Sequence, residues 1–231
     1  MKYKHIFFDL DHTLWDFETN SKLTLKELYD THQLTERNIP SFEAFYQHYT
    51  EHNDRLWDRF RKGFINRNEL RTKRFWLTFL DFKIADEKLS KTFSDAFLQI
   101  LPTKTALFDG TTDVLTYLRN KNYDIHLITN GFEETQLLKL RNAGIKDYFT
   151  HLVTSETAGS LKPHREIFDY AIAKANTTAG ESIMIGDAID IDVLGARNVG
   201  MDQVYFNPTQ LPQVQLSTYT IRELNELMGI L

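Results

Sequence analysis

Five short apolar runs constrain the fold of this 231-residue chain more than any other feature of its sequence. Each has the length of a β-strand. The runs are Tyr3–Phe8, Asp124–Ile128, His151–Val153, Ser182–Ile185 and Gln203–Phe206. Helical patterns follow most of them, for example over Glu133–Ala143 and Arg165–Ala175. Alternating strands and helices predict an α/β fold, a parallel sheet with helices on its faces, whose ligands bind beyond the carboxyl ends of the strands.

Residues 17–101 have a different pattern, with apolar residues at helical spacing and almost no glycine. The predicted helix starts are Thr19, Ser41 and Asn66. We therefore predict roughly four helices, inserted into a core made of residues 1–16 and 102–231. The two connections, near residues 16–17 and 102–110, should lie side by side. The insert is rich in aromatic residues that could stack on a base, but at helical spacing we expect most of them to be core.

Composition excludes several functional classes. The net charge of −5 provides no basic field for a nucleic acid polymer or an acidic membrane. No segment has the roughly 20 apolar residues of a membrane span, and Asp9 and Asp11 interrupt the first apolar run too early for a signal peptide. The chain has no cysteine, so thiol catalysis and thiolate metal sites are excluded. We expect a cytoplasmic protein.

The first apolar run ends in two acids, Asp9 and Asp11. Residues two apart in a strand point to the same face, so both carboxylates could meet one ligand. Like charges repel unless a cation or a shared proton intervenes. The pair therefore suits a carboxylate nucleophile beside a proton donor, with a hard metal ion neutralising the excess charge. Taken alone, it could also be an exposed acidic strand end.

Two further groups could bind a phosphate. Thr129, Asn130 and the following glycine offer hydroxyl, amide and backbone donors at a predicted helix start, although the same residues also form ordinary turns. Lys162 precedes a proline at the start of the next predicted helix, where its ammonium could pair with a phosphoryl oxygen or an aspartate. Most lysines in such positions are solvated. We expect this of Lys121, Lys139 and Lys146.

The fourth group follows the Ser182–Ile185 run. That run delivers Asp187 to the same edge of the sheet, and Gly186 permits close approach of the backbone. Mg²⁺ favours carboxylate oxygens and retains several waters, which fits a site made of Asp9 and Asp187. Asp190 and Asp192 could bind the metal's waters, orient a neighbour or cap the next helix. We expect Asp192 to support the site and Asp190 to be a solvated cap.

In their order along the chain, these four groups resemble the motifs of the haloacid dehalogenase-type hydrolase superfamily. The likeness covers nearly the whole chain, because the insert corresponds to the helical cap of that family. It implies a Rossmann-like core with an all-helical cap, dependence on Mg²⁺ and a phosphoaspartyl intermediate.

The resemblance also implies roles for individual residues. Asp9 would be the nucleophile and a metal ligand, and Asp11 would protonate the leaving oxygen and then activate water. Asp11 would touch the metal with its backbone carbonyl, and Asp187 would bind it as well. The residues expected to hold the phosphoryl group are Thr129, Asn130 and Lys162. The residues expected to support the metal ligands are Thr13 and Asp192.

Asp11 also distinguishes between two activities of the superfamily, carbon–halogen cleavage and phosphate-ester hydrolysis. Members that cleave carbon–halogen bonds lack an aspartate at this position, because a halide needs no proton on leaving. An alcohol leaving group does benefit from general acid catalysis, typically by about 10²–10⁴-fold. Asp11 therefore favours phosphate-ester hydrolysis.

A narrower likeness concerns the substrate. The segments Ile128–Phe132, Lys146–Phe149, Ser155–Glu156, Lys162–Pro163 and Ile167–Ala171 resemble the noncanonical pyrimidine nucleotidase subfamily. This likeness implies a small phosphorylated metabolite as substrate, a nucleoside 5′-monophosphate. The alternatives are a phosphatase or phosphomutase acting on a small sugar phosphate or phosphoglycolate, and a phosphoaspartate signalling module. Against the signalling module stand Asp11 and the large insert, since both serve turnover.

Overall fold

A computed structural model describes residues 2–211 and 216–231 of the chain. Within these residues the central sheet has six strands in the order β3-β2-β1-β4-β5-β6, and all neighbouring strands are parallel. The strands are β1 (His5–Phe8), β2 (Asp124–Thr129), β3 (His151–Thr154), β4 (Ser182–Gly186), β5 (Asp202–Phe206) and β6 (Tyr219–Ile221). The predicted α/β fold with a Rossmann-like parallel sheet is confirmed. The sixth strand was not predicted, because it has three residues and buries only Ile221.

Contacts divide the chain into two compact units, Met1–Phe17 with Thr105–Leu231, and Glu18–Lys104. The predicted core and insert differ from these units by one residue at the first junction and by three at the second. The two connections lie side by side, as predicted. The backbone N–H of Asp16 donates to the carbonyl of Ala106 over 3.1 Å, and that of Phe108 donates to Leu14 over 3.0 Å.

The unit Glu18–Lys104 is helical. Over this range, all of which the structure describes, the α-helices are α1 (Phe17–Thr31, which begins one residue before the unit), α2 (Phe42–Arg61), α3 (Arg67–Asp81) and α4 (Glu87–Ile100). The predicted starts at Ser41 and Asn66 are confirmed, because both side chains cap the helix that follows. Asn66 and Glu69 form a reciprocal capping box with two hydrogen bonds of 3.0 Å. The start predicted at Thr19 is wrong, since α1 begins at Phe17.

The core of this unit is aromatic. Phe45, Tyr49 and Phe75 are buried, and Phe93 and Phe97 of α4 pack against them with ring centroids 5.6–6.1 Å apart. The expectation that most aromatic residues at helical spacing are core is confirmed for these positions. Their rings hold α2, α3 and α4 together.

The other unit contains the sheet and the remaining α-helices of the described residues. These are α5 (Thr111–Asn120), α6 (Glu133–Asn142), α7 (Ser155–Ala158), α8 (Arg165–Lys174) and α9 (Leu194–Asn198). A π-helical turn, Ile189–Val193, leads from β4 towards α9. Phe7, Ile128 and Met184 of the sheet pack with Ile167 and Phe168 of α8 in one buried cluster.

The sheet register decides where polar side chains meet. Phe8, the last residue of β1, is paired with Leu127 of β2 and with Ile185 of β4, and those two strands end two residues and one residue further on. The residues that follow each strand therefore collect at one edge of the sheet, as the sequence predicts. No helix among the described residues combines the length and the hydropathy that a bilayer crossing requires.

A buried histidine, His126, lies in β2, between the neighbouring strands β3 and β1. The ring of His126 stacks between those of His5 and His151, at centroid distances of 5.4 and 5.2 Å, and contacts Phe7 at 4.7 Å. Burial, reinforced by the neighbouring histidines, lowers the pKa of His126 to about 3. The ring is therefore neutral in the folded protein at physiological pH.

We expect this histidine to make the fold sensitive to acid. The unfolded chain protonates the ring below about pH 6.5, whereas the folded protein does so only near pH 3, so stability is lost as the pH falls between these values. From pH 7 to pH 5 the contribution of His126 should fall by about 2 kcal/mol. Urea unfolding of the wild type and of His126→Leu at both pH values measures it.

The variant should lose less stability between pH 7 and pH 5 than the wild type does. His164→Leu is the matched control, because that histidine is exposed, and it should follow the wild type. Equal losses in wild type and His126→Leu would contradict the assignment.

Candidate active site

Asp9 begins the site. Its backbone N–H donates to the carbonyl of Ile185 over 2.9 Å, which extends the contact of β1 with β4 by one residue and fixes the position of the side chain. The carboxylate is buried, and its Oδ1 accepts a hydrogen bond from Nζ of Lys162 over 2.6 Å. A charge-assisted bond of this length in a buried place gives Asp9 one defined orientation.

Lys162 is buried as well and bridges two acids. Its Nζ lies 2.6 Å from Oδ1 of Asp9 and 2.7 Å from Oδ1 of Asp192. The Asn130 side chain holds its backbone, because Oδ1 accepts from the Lys162 N–H over 2.7 Å and Nδ2 donates to the Lys162 carbonyl over 2.9 Å. Asn130 thus fixes the lysine, and its predicted contact with a phosphate stays a prediction.

Asp187 and Asp192 complete a group of three acids with Asp9. One carboxylate oxygen of each lies within 4.8 Å of the others. Oγ1 of Thr13 donates to Oδ1 of Asp187 over 3.1 Å, and Oδ2 of Asp192 accepts from the backbone N–H of Ala188 over 3.1 Å. Thr13 and Asp192 therefore lie beside the predicted metal ligands, and their supporting role stays a prediction. Asp190, by contrast, is exposed.

The electrostatics of this group require a cation or a proton. Burial, together with Asp192 and Asp187 and against the attraction of Lys162, raises the pKa of Asp9 to about 8. Burial and Asp192 raise the pKa of Asp187 to about 7, although the hydrogen bond from Thr13 opposes this. Burial disfavours the charged form of Lys162, but Asp192 and Asp9 outweigh it and its pKa is raised. Three carboxylates, buried at Asp9 and Asp192 and half-buried at Asp187, share the single Lys162 ammonium and leave a surplus of negative charge.

Gly186 makes room for Asp192. A Cβ atom at position 186 would lie 2.4 Å from Cγ of Asp192, closer than two carbon atoms can approach. The sequence therefore needs glycine directly before Asp187 for a steric reason, which agrees with the predicted close approach.

Asp11 has different partners. The prediction that Asp9 and Asp11 lie on one face of a strand is wrong, because β1 ends at Phe8 and both acids follow it. Oδ1 of Asp11 accepts from Nζ of Lys139 over 2.6 Å, and Oδ2 accepts from Nε2 of Gln136 over 2.9 Å. Its carboxylate is not part of the three-acid group defined above. The metal contact implied for its backbone carbonyl stays a prediction.

Lys139 corrects a second expectation. It was predicted to be solvated, but it is buried, whereas Lys121 and Lys146 are exposed as predicted. Gln136 was not singled out at all. A signal was present, because Gln136, Lys139 and Leu140 occupy positions i, i+3 and i+4 of α6, which is the spacing of one helix face. Two polar residues on the buried face of a helix need polar partners.

Thr129 joins Asp11's partners to the end of β2. Its buried Oγ1 accepts hydrogen bonds from the backbone N–H of Gly131 over 3.1 Å and from Nε2 of Gln136 over 2.8 Å. The predicted site residues therefore form two groups, one around Lys162 and one around Lys139.

We expect Gly186→Ala to disturb the group around Lys162. The added methyl must displace Asp192, which weakens its ion pair with Lys162 and should cost about 1–3 kcal/mol of stability, as overpacking does. Thermal unfolding without added metal measures the loss. Gly180→Ala is the control, because a Cβ there meets nothing within 4 Å. Unchanged stability of Gly186→Ala would argue against the close contact.

Comparison with known proteins supports the reading of these groups. A model of the haloacid dehalogenase-like hydrolase family matches residues 3–200. Pyrimidine 5′-nucleotidase YjjG of Escherichia coli is 32% identical over 234 residues, covering 100% of this chain and 99% of YjjG. Glyceraldehyde 3-phosphate phosphatase of Pyrococcus abyssi is 30% identical over 207 residues, covering 88% of this chain and 81% of that protein.

The fold agrees with a solved structure of the same kind. The hydrolase YfnB of Bacillus subtilis, crystallised with bound magnesium, matches with a TM-score of 0.89 and 28% identity, covering 100% of this chain and 99% of YfnB. The resemblance read from the four motif groups is thereby confirmed. Since the family model and these relatives span most or all of its length, the chain belongs to the haloacid dehalogenase-like hydrolase family.

Proposed function

We propose that this protein is a Mg²⁺-dependent phosphomonoester hydrolase in which Asp9 accepts the phosphoryl group before water removes it. The observation that carries the proposal is the buried Asp9 carboxylate, held 2.6 Å from the Lys162 ammonium inside a group of three acids. A carboxylate oriented in this way is a nucleophile in a defined place. The adjacent ammonium can pair with an oxygen of the phosphoryl group as it is transferred.

The residues present fit a magnesium ion. The donor atoms are carboxylate oxygens, the ligands that Mg²⁺ prefers, and their excess negative charge over Lys162 favours a divalent cation. Asp9, Asp187 and the backbone carbonyl of Asp11 would hold the ion, with Asp192 and Thr13 supporting them. When bound, the ion supplies charge neutralisation to the phosphoryl oxygens. The bound magnesium of YfnB is consistent with this assignment.

The chemistry divides between the two acids. A carboxylate oxygen of Asp9 attacks phosphorus in line, the bond from phosphorus to the ester oxygen breaks, and Asp11 gives that oxygen a proton. Water then attacks the phosphorus of the phosphoaspartate and gives a proton to Asp11, which releases inorganic phosphate and restores both acids. Lys162 and Thr129, with Asn130, would hold the phosphoryl oxygens through both steps. A signalling module retains its phosphoryl group and therefore does not need Asp11 as a proton donor and as a base for water.

Nucleoside 5′-monophosphates are the substrates that we propose. The relative YjjG is a pyrimidine 5′-nucleotidase, and this chain matches it over nearly the whole of both proteins. The second candidate is a small sugar phosphate, because the relative from Pyrococcus abyssi is a glyceraldehyde 3-phosphate phosphatase. Both candidates use the same two acids and differ in the alcohol that leaves.

Asp9→Asn tests the nucleophile. An amide cannot take the phosphoryl group, so turnover should fall by at least about 10³-fold. The fold should be retained, because burial already favours the uncharged form of this side chain. Hydrolysis is measured together with covalent labelling of the denatured protein by a ³²P-labelled substrate. The control is Asp190→Asn, the same change at an exposed acid. Label on the Asp9→Asn protein, or near-normal turnover by it, would refute the assignment.

A substrate panel tests the choice of alcohol. With Mg²⁺, kcat/KM for uridine and thymidine 5′-monophosphates should exceed that for glyceraldehyde 3-phosphate, other sugar phosphates and phosphoglycolate by about 10-fold, a difference of about 1.4 kcal/mol in transition-state binding. EDTA should abolish all of these activities, and Mg²⁺ should restore them. The reverse order of substrates would support the sugar phosphate candidate.

A further inference from the structure

Two side chains of α6 hold the carboxylate of Asp11 from both sides. Nζ of Lys139 lies 2.6 Å from Oδ1, and Nε2 of Gln136 lies 2.9 Å from Oδ2. Both oxygens of the carboxylate therefore have a donor. The two donors come from one helix face, while Asp11 lies 125 and 128 residues earlier in the chain.

The ammonium of Lys139 is buried in aromatic surroundings. It lies 4.3 Å from the ring centroid of Trp15 and 5.5 Å from that of Phe17, and the side chain is 3% exposed. A buried ammonium is costly unless it is paired, and here the carboxylate and the ring faces both compensate it. This lysine therefore depends on Asp11 for its charge balance, as Asp11 depends on it.

Gln136 has a defined orientation as well. Its Nε2 donates to Oδ2 of Asp11 and to Oγ1 of Thr129, so the amide oxygen must point the other way. A Cβ at position 131 would lie 2.3 Å from this Nε2, so the glycine after Asn130 makes room for the amide. Gly131 thus leaves the space that Gln136 needs to reach Asp11.

We infer that Lys139 and Gln136 are positioning residues for proton transfer by Asp11. The inference rests on the proposed function. When Asp11 gives its proton to the leaving oxygen it becomes a carboxylate, and the Lys139 ammonium stabilises the negative charge that appears. Gln136 donates a hydrogen bond to the second oxygen. The carboxyl group of Asp11 therefore keeps the same orientation through both steps. Both residues act through Asp11, and neither gains or loses a covalent bond.

This role predicts a dependence on the leaving group. An alkoxide leaving from a nucleoside phosphate needs a proton, whereas 4-nitrophenolate leaves without one. Lys139→Met keeps the length and the apolar stem of the side chain but removes the charge. It should lower kcat/KM for uridine 5′-monophosphate by about 10–100-fold, part of what a general acid contributes. For 4-nitrophenyl phosphate the loss should be below about threefold.

The ratio of the two losses is the measurement, because kcat/KM reports the steps up to departure of the leaving group. Lys146→Met is the matched control, the same change at an exposed lysine, and should alter neither value. Lys139→Arg, which keeps the charge, should recover part of the activity on the nucleotide. Gln136→Met should show the same selectivity with a smaller loss, and it tests the inference if Lys139→Met does not fold.

Three results would overturn the inference. Equal losses on both substrates would mean that Lys139 supports only the structure, and no loss on either would mean that Asp11 works without it. A wild-type protein that hydrolyses no phosphomonoester with Mg²⁺ would overturn the proposed function as well. The wild-type assay and Asp9→Asn therefore separate failure of the proposed function from failure of this inference.

Discussion

The structure of the site depends on one buried ammonium, that of Lys162, placed between the carboxylates of Asp9 and Asp192. Without this ammonium, the acids that follow β1 and β4 would lie close together, largely shielded from solvent, with no compensating charge. The surrounding residues keep it there. Asn130 holds its backbone with two hydrogen bonds, and Gly186 leaves the space that Asp192 occupies.

The two acids of the first motif, Asp9 and Asp11, each form an ion pair with a different lysine. Asp9 is bound to Lys162, and Asp11 is bound to Lys139 and Gln136 of α6. Two carboxylates so close in sequence would repel each other if they shared one environment. Two lysines, from different parts of the chain, give them different neighbours, which agrees with the different roles proposed for nucleophile and proton donor.

Local patterns in the sequence predict much of this arrangement. The apolar runs locate the ends of β1, β2 and β4 to within a residue, and in a parallel sheet those ends lie at one edge. Ser41 and Asn66 predict the starts of α2 and α3 because a cap is a contact between near neighbours. The prediction fails at β6, where three mostly exposed residues carry little signal.

The sequence by itself determined the alternation of strands and helices and the acids at the strand ends, because those depend on residues a few positions apart. Only the tertiary structure decided which lysine is buried. Lys121, Lys139 and Lys146 look alike in the sequence, yet Lys139 alone of these three meets Asp11 and the ring of Trp15. Those partners lie more than a hundred residues away, so the energy that makes burial of the ammonium possible exists only in the folded chain.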